Sequence, residues 1–102
     1  MKKLILITTL LLSFNINAQA TKMDYCNNLA SVAESTMTTR QSGVSLSNQL
    51  AILEGIDKDI KKIFQAIILE AYETPQFSGE KYRKRAVVNF QDSILLRCLK
   101  QN

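Results

Sequence analysis

The chain has 102 residues, with 13 lysines and arginines against nine aspartates and glutamates, two cysteines and no histidine. That length holds one domain at the small end, where a core often needs a covalent staple. The formal net charge of +4 does not demand nucleic acid, and the missing histidine removes the commonest general base and metal ligand.

The first twenty residues read as a removable leader. Lys2 and Lys3 give a basic start, Leu4 to Leu12 a largely apolar run of nine residues, and Ala18-Gln19-Ala20 a small-residue cleavage site. The run is too short to span a bilayer, which takes about 20 residues. Cys26 follows Met23-Asp24-Tyr25 and no lipobox, which argues against a lipid anchor. The expected division is residues 1–20 as signal peptide and 21–102 as a single helical domain, periplasmic or secreted. Without Lys2 and Lys3, 11 basic residues face nine acidic ones, a mature net charge of +2. In an oxidising compartment Cys26 and Cys98 have one intramolecular pairing open to them.

Thr21-x-x-Asp24 reads as a capping box that starts a helix with Cys26, Leu29, Ala33 and Met37 on one face. Ser42-Gly43 ends it, with Gly43 as a left-handed cap. Ser45 then caps a short second helix of about nine residues, roughly 13 Å long. It turns Leu46, Leu50 and Leu53 inward and stops at Gly55. The central helix, Asp57 to Thr74, has its apolar residues at Ile56, Ile60, Ile63, Phe64, Ile67, Ile68, Ala71 and Tyr72, the spacing of one helix face. Ala66 and Leu69 widen the stripe and predict neighbours on more than one side. Asp57 and Asp59 suit the first turn, and Pro75 forces Thr74 out of the helix. A last helix is expected from Glu80 to Leu99, capped by Ser78, with Val87, Phe90, Ile94 and Cys98 as its stripe. Tyr82, Ala86, Leu95 and Leu99 broaden it.

The cysteine pair decides how these helices count. With the second segment reduced to a corner, the chain runs up, down, up and leaves Cys98 about 25 Å from Cys26. A disulfide needs the two Cα atoms within about 7 Å. The expected fold is therefore all-α: a small four-helix up-down bundle with a short second helix, stapled by one disulfide.

Catalytic signatures are weak. No serine sits in a nucleophile elbow. Glu70 and Glu73 share a helix flank, as do Asp57 and Lys61, and solvated helix surface accounts for both pairs. No enzyme, cofactor or metal is expected. Two groups stand out instead. Lys81-Tyr82-Arg83-Lys84-Arg85 crowds four cations onto the first turns of a helix, where the macrodipole disfavours them. A solvated face with scattered ion pairs is the first reading of these cations; the sharper one is a contact patch, with Arg83, Lys84 and Arg85 drawing an acidic partner onto apolar surface left uncovered by the short second helix. A weak contact with an anionic lipid headgroup is a further use, and nucleic acid is not expected for an exported chain. Arg40, on the continuation of the first apolar stripe, suits the C-terminus of a helix, which welcomes arginine; the next reading is a buried pairing with Glu70 or Glu73, with the Tyr72 hydroxyl joining the network.

The string of Cys26, Leu29-Ala30, Arg40-x-x-Gly43, Ala71-Tyr72, Pro75 and the stretch from Phe90 to Cys98 resembles a group of small signal-bearing bacterial and prophage-associated proteins of unassigned function. The resemblance implies export and a helical disulfide fold, and nothing catalytic. In architecture the chain is similar to periplasmic acid-stress chaperones of the HdeA type and to immunity proteins of the Tai type, whose pattern carries more cysteines. The reading is a non-enzymatic exported protein that binds a protein partner in the cell envelope, in an immunity-like or inhibitory role. A periplasmic stress chaperone and a small carboxylate-dependent hydrolase are the alternatives.

Overall fold

In the computed structural model the backbone is described for residues 2–101 and the side chains for residues 21–101. The elements are α1 (Lys2–Gln41), α2 (Leu46–Ala51), α3 (Lys58–Ala71) and α4 (Glu80–Lys100), with no strand among the described residues. The leader expected over residues 1–20 lies outside the described side chains.

Helix α1 does not begin at Thr21. Its backbone is helical from Lys2 onward, so Thr21 and Asp24 are interior positions and the capping box is not formed. Its end follows expectation: Gly43 takes φ +91°, a left-handed conformation that costs other residues about 1 kcal/mol. A Cβ there would meet only the movable end of the Gln76 side chain, at 3.1 Å, so the dihedral angle is what selects glycine.

Ser45 caps α2 by accepting from the Asn48 backbone N–H at 3.2 Å. The helix is six residues, shorter than the nine expected, and the chain then passes through turns to Gly55 at φ +82°. Asp57 is the cap of α3 and not a first-turn residue; its carboxylate accepts from the Asp59 N–H at 3.1 Å. Ser78 does not cap α4. Gly79 holds that position with no side-chain hydrogen bond.

The core joins Ala33 and Met37 of α1, Ile67 and Ala71 of α3, and Ala86, Phe90 and Ile94 of α4. Small residues on α1 let α4 lie close along it, and this pair forms the main helix contact. Cys26, fully buried, is bonded to Cys98 with the Cα atoms 5.6 Å apart. Nearby, Lys22 Nζ donates to the Gln101 carbonyl. The C-terminal ends of α1 and α3 meet at the opposite end of the bundle, where Tyr72 reaches Val44 and Gln41 reaches Pro75. Helices α1 and α3 are thus parallel and α4 runs back between the two ends, the up-down order that the disulfide requires.

The central stripe is only half covered. Ile67, Ile68 and Ala71 are buried, but Ile60 and Ile63 in the first half of α3 are exposed, as are Ala66 and Leu69. The neighbours expected beside Ala66 and Leu69 are not there. The reason is the length of α2: six residues shield too little of α3, and Ile52 just beyond it is 66% exposed.

Candidate functional site

Two regions carry the polar side chains that the sequence singles out. The first is the corner where α1 ends against the turn between α3 and α4. Arg40 lies over the Tyr72 ring, 4.8 Å from guanidinium carbon to centroid, and its Nε donates to the Thr74 carbonyl at 3.1 Å. The Tyr72 hydroxyl donates to the Val44 carbonyl at 2.7 Å. Arg40 and Tyr72 therefore do form a network, but the carboxylate expected in it is absent. Glu73 is exposed and makes no ion pair among the described residues. Glu70 is taken by Arg97 of α4 through two hydrogen bonds of 2.8 and 2.6 Å. A main-chain carbonyl at the end of α3 stands where the carboxylate was expected, because the turn at Pro75 aims Thr74 back at α1.

The centre of that corner is Gln41, a residue that no motif in the sequence singles out. It is buried, its Nε2 donates to the Pro75 carbonyl at 2.9 Å, and its Oε1 accepts from the Phe77 N–H at 2.8 Å. The Gln76 amide returns a bond to the Gln41 carbonyl at 3.3 Å. One amide thus satisfies the two main-chain groups flanking Gln76, which buried polar groups require. Gln49 does similar service inside α2, donating to the Thr36 carbonyl of α1 at 3.0 Å. Both had a signal: Gln41 stands four residues after Met37, and Gln49 lies between the inward Leu46 and Leu53.

The second region is the start of α4. The four cations there do not act alike. Arg83 turns its Nη1 onto the Phe77 and Ser78 carbonyls, at 3.3 and 2.8 Å, and so fastens the turn. Lys84 pairs with Glu80 at 3.4 Å on open surface. Lys81 and Arg85 are exposed with no ion pair among the described residues. Beside them Tyr82 is 57% and Val88 52% exposed. A groove of about 430 Å³ takes in Glu70, Glu73, Tyr82 and Arg85. Another, of about 630 Å³, lies between the end of α1 and the start of α4, with Thr38, Gln76, Arg83 and Val88 in its wall.

The apolar surface beside α2 and these cations line different hollows. Ile52 and Ile56 share a hollow with Ser31 and Ser35 of α1 and Phe64 of α3, whereas the cations stand at the turn end.

For acid–base chemistry Glu70 is shifted the wrong way. Hydrogen bonds from Arg97 hold the Glu70 carboxyl below its ordinary range, outweighing burial, which raises it. A general acid working near neutral pH needs the opposite shift. Among the described residues no cluster of histidine, cysteine and carboxylate side chains could hold a metal, and no helix is long and apolar enough to cross a membrane. Comparisons with protein-family models, with curated proteins and with solved structures find no match.

Proposed function

We propose that this chain is exported and works without catalysis, by binding a protein partner in the cell envelope. The concrete form is an immunity-like protein or an inhibitor of an envelope-acting enzyme, in keeping with a small helical fold stapled by one disulfide. One observation carries the reading. Lys81, Arg85 and Val88, at i, i+4 and i+7, make an exposed strip of α4 in which two cations lack partners among the described residues, with exposed Tyr82 alongside. Lys81, in the first turn of α4, works against the helix dipole, so its use lies outside the helix's own stability. Mixed cationic and apolar surface on a rigid helix suits an acidic protein, and the charge acts chiefly on the association rate. The disulfide between Cys26 and Cys98 supports an oxidising compartment.

The test is capture from envelope extract on the immobilised oxidised protein, followed by identification and kinetics of what is retained. Lys81→Gln with Arg85→Gln should slow association about tenfold at low ionic strength, with the difference shrinking as salt is added. No envelope protein retained, or an unchanged low-salt rate, refutes the reading. The stress-chaperone alternative has one observation in its favour: the acid-sensitive Glu70–Arg97 bridge lies above apolar residues of α3 and α4.

A further inference from the structure

The two sulfurs of the disulfide are not equivalent. Cys26 is fully buried and lies well inside α1, away from the end of that helix at Gln41. Cys98 is partly exposed and sits in the last turn of α4, which ends at Lys100. Cys98 also lines a surface hollow of about 330 Å³, with Tyr25, Arg97 and Gln101 around it, and Cys26 takes no part in that wall. Tyr25 is itself 51% exposed, so the hollow is open on the side of α1.

Position along the helix widens this difference. Helix ends open locally at little cost, whereas a stretch packed into the core opens only with the fold as a whole. Past Cys98 the chain is closed by the Gln101 N–H donating to the Cys98 carbonyl at 3.2 Å, and by Lys22 donating to the Gln101 carbonyl. Fraying of that turn uncovers Cys98 further and leaves Cys26 covered. Thiol–disulfide exchange responds to such asymmetry, because its rate depends on which sulfur is attacked and on access to it.

We propose that Cys98 is the exchange site of this protein: an envelope protein carrying a redox-active dithiol forms its mixed disulfide on Cys98 alone, and Cys26 is the resolving sulfur. The inference draws on the export in the proposed function and not on the α4 strip. In the reducing direction a thiolate of the dithiol protein attacks Cys98 Sγ. The bond to Cys26 breaks, and its electron pair leaves on Cys26 Sγ. Two routes then close the cycle. The reagent's second thiolate attacks its own sulfur in the mixed disulfide, releasing Cys98 as thiolate and leaving the reagent oxidised. Alternatively Cys26 attacks Cys98 Sγ, restores the bridge and expels the reagent. In the oxidising direction the Cys98 thiolate attacks the reagent's disulfide, and Cys26 then completes the bridge from inside the bundle, releasing a reduced reagent.

The test starts from the oxidised protein recovered after export. It is treated briefly with glutathione, or with a reduced thioredoxin-type protein whose second active-site cysteine is replaced by serine, and quenched in acid. Free thiols are then alkylated in denaturant, and peptide mapping by mass spectrometry locates each mixed disulfide. In buffer, adducts on Cys98 should outnumber those on Cys26 by at least about tenfold with either reagent. In concentrated urea the two sulfurs should react nearly equally, because the preference comes from the fold and not from neighbours in sequence. Absence of the protein adduct, comparable adducts on both sulfurs in buffer, or a preference that persists in urea overturns the proposal. None of these outcomes depends on Lys81 or Arg85, so failure of the α4 strip and failure of the exchange site are told apart.

Discussion

Gln41→Glu isolates the amide that holds the turn between α3 and α4. The substitution keeps the size and shape of the side chain and changes one atom's character. Oε1 still accepts from the Phe77 N–H, but the atom that donated to the Pro75 carbonyl at 2.9 Å becomes an oxygen. Losing that bond removes about 1 kcal/mol, and facing the carbonyl with a carboxylate oxygen in a buried place adds about 1–3 kcal/mol. The expected destabilisation near neutral pH is therefore roughly 2–4 kcal/mol. Once protonated, the introduced carboxyl can donate again, so burial and the facing carbonyl should raise it above the unfolded value of about 4.3. A group raised in the native state has its full stability below the unfolded value and loses it as pH rises through the native one. The deficit relative to the parent protein should thus be small near pH 4 and grow toward pH 7. Urea unfolding of both oxidised proteins across that range measures it. An equal midpoint at pH 7, or a deficit independent of pH, would refute the role given to Gln41.

Three further outcomes follow from the same geometry. Oxidised protein should show no alkylatable thiol by mass spectrometry, and Cys98→Ser should cost about 4 kcal/mol in urea unfolding, given the 72-residue separation of the bonded pair. Ile67→Ala should cost about 2–5 kcal/mol by opening a cavity in the shared core, while Glu73→Ala, now placed on open surface, should stay within about 0.5 kcal/mol. Because Arg97 depresses the Glu70 carboxyl, the bridge contributes fully above the unfolded value of about 4.3 and is lost as pH falls through the lower native one. Acid titration of Arg97→Gln should accordingly lack the part of the stability loss that the parent shows below pH 4; identical curves would remove the bridge from the account.

Some of this protein is written in short-range chemistry and some is not. Helical content, the cap at Ser45, the left-handed Gly43, the break at Pro75 and the cysteine pairing are set by residues within a few positions or by a count of two, and each was legible. The up-down order was legible too, because a disulfide tolerates only a few ångströms of separation. The capping box at Thr21 was not, since a local motif competes with continuation of the helix on its N-terminal side. Periodicity marked Ile60 and Ile63 as apolar but could not say that α2 would be too short to shield them. Partner choice among polar side chains lay furthest from reach. Arg40 found a carbonyl and an aromatic face, Glu70 found Arg97, Gln41 found the turn around Gln76, and Arg83 turned inward to fasten the start of α4. Most of these contacts join residues about 30 positions apart, and which donor meets which acceptor depends on how three helices lie against one another.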